Sequence, residues 1–195
     1  MKRSILFALF AAMLCILPSC AAQDTPETSP LSLRYQTTET VLTLGMTQAE
    51  VEAALSAEGI DPVDVTEPTE PHWSWMAIYG RGADQVSVMY EAETDTVDQL
   101  ILYLEGDVTS NWNTRGGISL GSSQETIEKT YADTGSMANG TSLAYYYDAD
   151  GNPSDASQVS QGDVLVALDL NDSDQVDHLC ILQIPPENQM LPENP

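Results

Sequence analysis

Two segments of the chain carry nearly the same pattern of apolar and polar positions. Residues 42–55 read LTLGMTQAEVEAAL and residues 118–131 read ISLGSSQETIEKTY. In both segments, a Leu-Gly pair and a hydroxyl residue precede apolar residues at the spacing of an α-helix. These apolar residues are Val51, Ala54 and Leu55 in the first segment and Ile127 and Tyr131 in the second. The pattern predicts two short helices, each starting near its hydroxyl residue.

The starts of these helices are predicted from their capping residues. Thr47 with Glu50 fits a capping box, in which each side chain accepts a hydrogen bond from the other residue's free backbone N–H. Ser123 is the expected N-cap of the second helix, and a box running from Ser122 to Glu125 is the alternative.

Strands are predicted after each helix, where apolar and polar positions alternate. Residues 86–92 (VSVMYEA) and 164–170 (VLVALDL) both alternate. Turn residues follow each of them, and then a segment that begins Val-Asp-x-Leu, at 97–104 and at 176–184. An aromatic segment, WSWMAIYG or LAYYYDADG, precedes each pair. Each unit is therefore predicted to be a helix followed by at least three antiparallel strands.

These elements predict an α+β fold made of two tandem repeats. Each repeat is a helix followed by an antiparallel meander of three to four strands, with the helix layered on the sheet. The repeats are predicted at 39–110 and at 111–184. Residues 20–38, rich in Ala, Ser, Thr, Pro and acids, are expected to form a flexible tether, and residues 185–195 a Pro-rich tail.

The N-terminus has the features of a bacterial lipoprotein signal peptide. Lys2 and Arg3 precede an uncharged apolar stretch at 5–17, which is shorter than the ~20 apolar residues of a membrane span. The stretch runs into LPSC, which resembles the bacterial lipobox with Cys20 as the acylated residue. We therefore expect residues 1–19 to be removed and the mature chain to be held outside the cytoplasm, on the bacterial cell membrane, by lipid on Cys20.

The charge of the chain restricts its partners. Thirty acidic residues stand against six basic ones, which gives a net charge of −24. Nucleic acids and anionic lipid surfaces are bound through Lys and Arg, so neither is an expected partner. The acids are dispersed along the chain, which is typical of solvated surfaces. Contact with the membrane is expected through the lipid anchor alone.

The order of a Leu-Gly turn, a hydroxyl cap, a short helix and a strand meander resembles the tandem-repeat fold of the β-lactamase inhibitory proteins. It is also similar to the repeat of the small lipoprotein of the outer-membrane barrel assembly machine, and to many lipoproteins of Gram-positive bacteria. The resemblance covers residues 41–184 and implies a binding scaffold with an open, often concave sheet surface. The chain has no cysteine pair for the inhibitors' disulfides, and β-lactamase inhibition is not carried over.

The candidate chemical groups do not form a catalytic pattern. His72 and His178 are isolated from each other, and no Ser lies in a nucleophile-elbow motif, so no enzymatic activity and no cofactor is expected. The segment DADGN at 148–152 could place oxygens around calcium, but it is a better turn signal, and no metal site is assigned. Cys180 stands in an apolar strand and is expected to be a buried, inert thiol.

One face of the predicted strands remains apolar after the helices are packed. Val86, Val88 and Tyr90 supply one face of their strand, and alternation sends Met89 to the other. The residues predicted to form a partner-binding surface on this second face and its edge are Trp73, Trp75, Met89, Ile101, Tyr103 and Tyr146. For Trp73 and Trp75, packing in the core is an equally weighted alternative.

The sequence thus favours a non-catalytic, lipid-anchored binding protein whose sheet surface takes a basic or neutral protein or peptide. The alternative is an envelope assembly or chaperone-like accessory lipoprotein, and a secreted hydrolase is the third possibility.

The lipid anchor gives the first prediction. Cys20→Ala should abolish incorporation of a labelled fatty acid, because the acylated thiol is removed. Metabolic labelling followed by gel fluorography measures this. A wild-type protein that takes up no label and starts at a residue other than Cys20 would contradict the prediction.

Overall fold

An antiparallel sheet of eight strands forms the centre of the structure. The computed structural model describes residues 31–66, 74–103, 109–132 and 136–185. The strands are β1 (Ser32–Tyr35), β2 (Val41–Thr43), β3 (Pro62–Thr66), β4 (Trp75–Tyr79), β5 (Val86–Tyr90), β6 (Val97–Tyr103), β7 (Trp112–Asn113), β8 (Ser136–Asn139), β9 (Ser142–Tyr147), β10 (Val164–Leu170) and β11 (Val176–Gln183). The helices are α1 (Gln48–Ala57) and α2 (Gln124–Thr130).

The strand order of the large sheet is β3-β4-β5-β6-β11-β10-β9-β8, with every neighbouring pair antiparallel. Strands β3 to β6 form one meander and β8 to β11 form another. The two meanders join where β6 pairs with β11, with Leu100 opposite Ile181 and Leu102 opposite Leu179. All four of these side chains are fully buried. The joint between the two halves therefore lies inside the hydrophobic core.

A second layer covers one face of this sheet. It consists of α1, α2 and a separate three-stranded sheet in the order β2-β1-β7. The layer contributes fully buried side chains to the same hydrophobic core as the large sheet, namely Leu33, Leu42, Val51, Leu55, Trp112, Ile118 and Ile127. The core is thus a single cluster between two layers.

The predicted fold class, α+β with two helix-on-sheet repeats, is wrong. The structure is mostly β, with 42% strand against 19% helix, two helices and two sheets. The pairing of β6 with β11 makes one continuous sheet, and helices of 10 and 7 residues are too short to form a layer over it by themselves. Much of that layer comes from β1, β2 and β7, which the local pattern did not predict.

Part of the predicted tether is a strand. In β1, Leu33 is fully buried and Tyr35 nearly so, because the alternation of Leu31, Leu33 and Tyr35 directs these side chains to one side. The signal peptide, Cys20 and residues 186–195 lie outside the described residues. Within the described part of the chain, neither helix has the length and apolar character needed to span a bilayer.

The predicted helix starts are confirmed. The Thr47 Oγ1 accepts a hydrogen bond from the Glu50 N–H, and a Glu50 carboxylate oxygen accepts one from the Thr47 N–H at 2.9 Å. Ser123, and not Ser122, is the N-cap of α2, and its hydroxyl accepts a hydrogen bond from the Thr126 N–H.

The two similar segments make the same local contacts. The Gly45 N–H donates to the Val97 carbonyl and the Gly121 N–H donates to the Val176 carbonyl, each at 2.8 Å. Both glycines have a positive φ, +83° and +82°, a conformation that a side chain disfavours. Each helix is therefore fixed at its start to the first residue of a strand in the large sheet, β6 for α1 and β11 for α2.

Truncating a buried helix residue gives the second prediction. Val51→Ala and Ile127→Ala should each lower the free energy of unfolding by about 1–3 kcal/mol, because both side chains are fully buried. Urea denaturation followed by tryptophan fluorescence measures the change. The control Val65→Ala, at a residue that is 49% exposed, should cost less than about 0.5 kcal/mol. Losses no larger than this control would show that the helices do not pack as described.

Candidate partner-binding face

The large sheet has one covered face and one face directed away from the core. Burial alternates along β5, β9 and β10; in β5, Val86, Val88 and Tyr90 are buried and the residues between them are half-buried. We call the second side the open face. On strands β4, β5, β6, β11, β10 and β9 it comprises Met76, Ile78, Ser87, Met89, Gln99, Ile101, Tyr103, His178, Cys180, Leu182, Leu165, Ala167, Asp169, Ser142, Ala144 and Tyr146.

Strand register arranges these side chains in rows that cross the sheet. One row contains Met76, Met89, Gln99, Leu182, Leu165 and Tyr146, and the next contains Ile78, Ser87, Ile101, Cys180, Ala167 and Ala144. We call these the apolar rows. A third row, the polar row, contains Tyr103, His178, Asp169 and Ser142, one residue from each of four neighbouring strands.

The apolar rows are only partly shielded. Met89, Ile101, Leu182 and Tyr146 are half-buried, whereas Val88, on the covered side of the same sheet, is fully buried. At ~4.8 Å per strand and ~3.4 Å per residue, the two apolar rows span roughly 24 Å by 7 Å, and the polar row lies along one side of them. Exposed apolar surface with a polar rim is often an interaction site.

Four of the predicted binding residues come together on the open face. Met89, Ile101 and Tyr146 are half-buried there, and Tyr103, which is 53% exposed, lies in the polar row beside the apolar rows. The predicted arrangement of these four residues is therefore found in the structure. Whether they bind a partner is a proposal.

Trp75 lies on the opposite face from these residues. By the alternation of β4, its side chain points to the same face as the buried Ala77 and Tyr79. Its ring stacks on that of Tyr90 at a centroid distance of 4.3 Å, and its Nε1 donates a hydrogen bond to Asp95 Oδ1 at 3.1 Å. For Trp75 the alternative of core packing is the correct one. Trp73 and His72 lie outside the described residues.

Other residues of the open face were not predicted. Met76, Ile78 and Leu165 belong to the apolar rows. The sequence of each of their strands does not indicate which other strands pair with it. The missing signal was the long-range register, because the polarity of a single strand does not show which residues become its neighbours.

The polar row is held together by hydrogen bonds across the sheet. The Ser142 hydroxyl donates to Asp169 Oδ1, and His178 Nδ1 lies 3.0 Å from Asp169 Oδ2. The Tyr103 ring meets the His178 ring edge-on at a centroid distance of 6.1 Å. The hydrogen bond from Ser142 holds the pKa of the Asp169 carboxyl below its ordinary value, and the one to His178 acts in the same direction.

A second carboxyl group stands near the other end of the open face. Asp98 follows the first residue of β6, beside a break in the β5–β6 register, and one of its oxygens accepts a hydrogen bond from the Ser74 hydroxyl at 2.8 Å. Burial raises the pKa of Asp98, and its Oδ1 has no hydrogen-bond partner among the described residues. The environment of Asp98 thus disfavours its charged form, in contrast to Asp169.

Two smaller predictions are confirmed. Cys180 is a buried free thiol, and burial together with the charges of Asp98 and Asp169 raises its pKa to about 12. The DADGN segment is a turn in which Asp148 Oδ1 accepts hydrogen bonds from the N–H groups of Asp150 and Asn152. Across the described ranges, no three His, Cys, Asp or Glu side chains gather in a group that could hold a metal ion.

No protein-family model, curated protein or solved structure matches the chain.

The raised pKa of Cys180 gives the third prediction. At pH 8 roughly one in 10,000 of these thiols is ionised, against about a quarter for a free cysteine of pKa about 8.5. Alkylation by iodoacetamide should therefore be at least about 1,000-fold slower in the folded chain than in urea. Mass spectrometry of the Cys180 peptide over time measures both rates. Equal rates would contradict the burial of this thiol.

Proposed function

We propose that the open face is the binding surface for a protein or peptide partner and that the protein is not an enzyme. The observation that carries this proposal is the contrast between the two faces of the large sheet. Ile101 and Leu182 are half-buried on the open face, while Leu100 and Ile181 beside them are fully buried on the other. Covering the open face with a partner would remove the remaining apolar surface from water.

The arrangement of the polar row supports a binding role over catalysis. In a nucleophile–base pair, the serine hydroxyl donates to histidine, and an acid orients the histidine from its other side. Here Asp169 stands between the other two residues, because Ser142 and His178 each contact one of its oxygens. The row is therefore a hydrogen-bonded surface feature without an activated hydroxyl.

The proposed cellular setting comes from the N-terminal sequence. Lipid on Cys20 would tie the chain to the outside of the cell membrane, and its negative charge would keep the folded part away from anionic lipid. The segment from residue 21 to the first described residues would serve as a spacer. The open face would then be available to a partner in the cell envelope, as the resemblance to binding scaffolds implies.

Site-specific cross-linking tests the proposal and gives the fourth prediction. A photoreactive amino acid in place of Tyr103 should give a discrete cross-linked product in living cells, because this side chain is exposed on the open face. The same amino acid in place of Val65, which is 49% exposed and lies on the edge strand β3, is the matched control and should not give that product.

A second substitution separates binding from mere proximity. Ile101→Thr keeps the β-branched shape that suits a strand but removes apolar surface, so it should lower the yield of the Tyr103 product roughly 5-fold or more. Val65→Thr should leave the yield unchanged. Equal products from both cross-linking positions, or a yield that Ile101→Thr does not alter, would refute the proposal.

A further inference from the structure

We propose that Tyr103, His178 and Asp169 of the polar row form an anchor for one Lys or Arg side chain of the partner. This inference rests on the proposed function, because the anchor lies alongside the apolar rows. The partner is accordingly an apolar segment that carries a basic residue.

The polar row offers acceptors toward solvent. The Asp169 side chain is 47% exposed, and each of its oxygens keeps acceptor capacity after binding Ser142 or His178. When His178 Nδ1 donates to Asp169, the other ring nitrogen carries a lone pair. The exposed Tyr103 ring adds an aromatic face, which attracts ammonium and guanidinium groups. A cationic donor fits all three groups.

The large sheet supplies no cation of its own to this site. None of its eight strands contains Lys or Arg in the described residues. Four basic residues lie in the described ranges outside the large sheet's strands. Arg34 lies in the small sheet and bonds Glu39, Lys129 lies in the last turn of α2, Arg81 is exposed in the turn between β4 and β5, and Arg115 follows β7. The chain segments outside the described residues contain only Lys2 and Arg3, both in the predicted signal peptide. Among the described residues, no ion pair or hydrogen bond joins a Lys or Arg side chain to Tyr103, His178 or Asp169, so the anchor can receive a cation from another molecule.

Charge also selects among the occupants of the open face. A second copy of this chain would bring another net charge of −24 to the interface, and the chain's own acidic tether and tail carry the wrong sign. Nucleic acid is excluded for the same reason. A basic protein segment is the occupant that complements both the apolar rows and Asp169.

Asp169, and not Asp98, is the carboxylate suited to this role. Hydrogen bonds stabilise the charged form of Asp169, whereas burial works against the charged form of Asp98. Asp98 lies near the start of β6, whereas Asp169 lies on β10 in the row of Tyr103, at the end of β6.

Selection from a random dodecapeptide display library tests the anchor and gives the fifth prediction. Peptides selected on the wild-type chain should combine apolar residues with Lys or Arg. Asp169→Asn removes the charge but keeps a group that can bond Ser142, and it should weaken binding of the selected peptides about 5-fold at low salt. Tyr103→Leu should weaken binding about 3-fold, and raising the salt concentration should reduce the Asp169 effect.

One control, Asp172→Asn, and the variant Ile101→Thr make the outcome decisive. Asp172→Asn, at an exposed residue of the β10–β11 turn, removes the same net charge and should change binding less than 1.5-fold, within the scatter of the measurement. If Asp172→Asn acts as strongly as Asp169→Asn, or if the selected peptides lack basic residues but are lost with Ile101→Thr, the anchor is wrong and the proposed function stands. If no peptide is selected, or if Ile101→Thr has no effect on those selected, both proposals fail.

Discussion

The pairing of β6 with β11 is the contact on which the rest of the structure depends. It joins two meanders into one sheet, and it places Leu100 and Ile181 in the core while Ile101 and Cys180 face the other way. Without this pair, β6 and β11 would each be an unpaired edge strand. The open face would then be divided between two separate sheets. The continuity of the apolar rows is therefore a property of one long-range strand pair.

The covered and open faces have different chemical roles because successive side chains of each strand point to opposite faces of the sheet. Inward residues form one closed cluster with the helices and the small sheet, and this cluster supplies the stability of the chain. Outward residues are apolar in the centre and polar at one end, where Asp169 holds the row together. In a chain with so few basic residues, such a surface favours cationic partners over acidic ones.

Local pattern in the sequence was sufficient for some elements and not for others. Alternation found β5, β6, β10 and β11, and capping residues located both helices. The short strands β1, β2, β3, β7 and β8 were missed, because two to five residues carry too little alternation to stand out. The fold class failed for a related reason, since no local feature shows that β6 pairs with β11. Trp75 was left undecided because an aromatic pair gives no indication of which side faces the core.

If the open face binds a partner as proposed, the β6–β11 pair would also link partner recognition to the completeness of folding. Leu100 and Ile181 are far apart in the sequence, and contacts of this kind form slowly because closing the long loop between them costs entropy. A partner that rests on both strands would recognise only molecules in which this contact has formed. By mass action it would in turn stabilise them, by about 2.7 kcal/mol at a partner concentration 100 times the dissociation constant. The fraction of the protein bound to its partner and the free energy of unfolding would then rise together, because both depend on the β6–β11 pair.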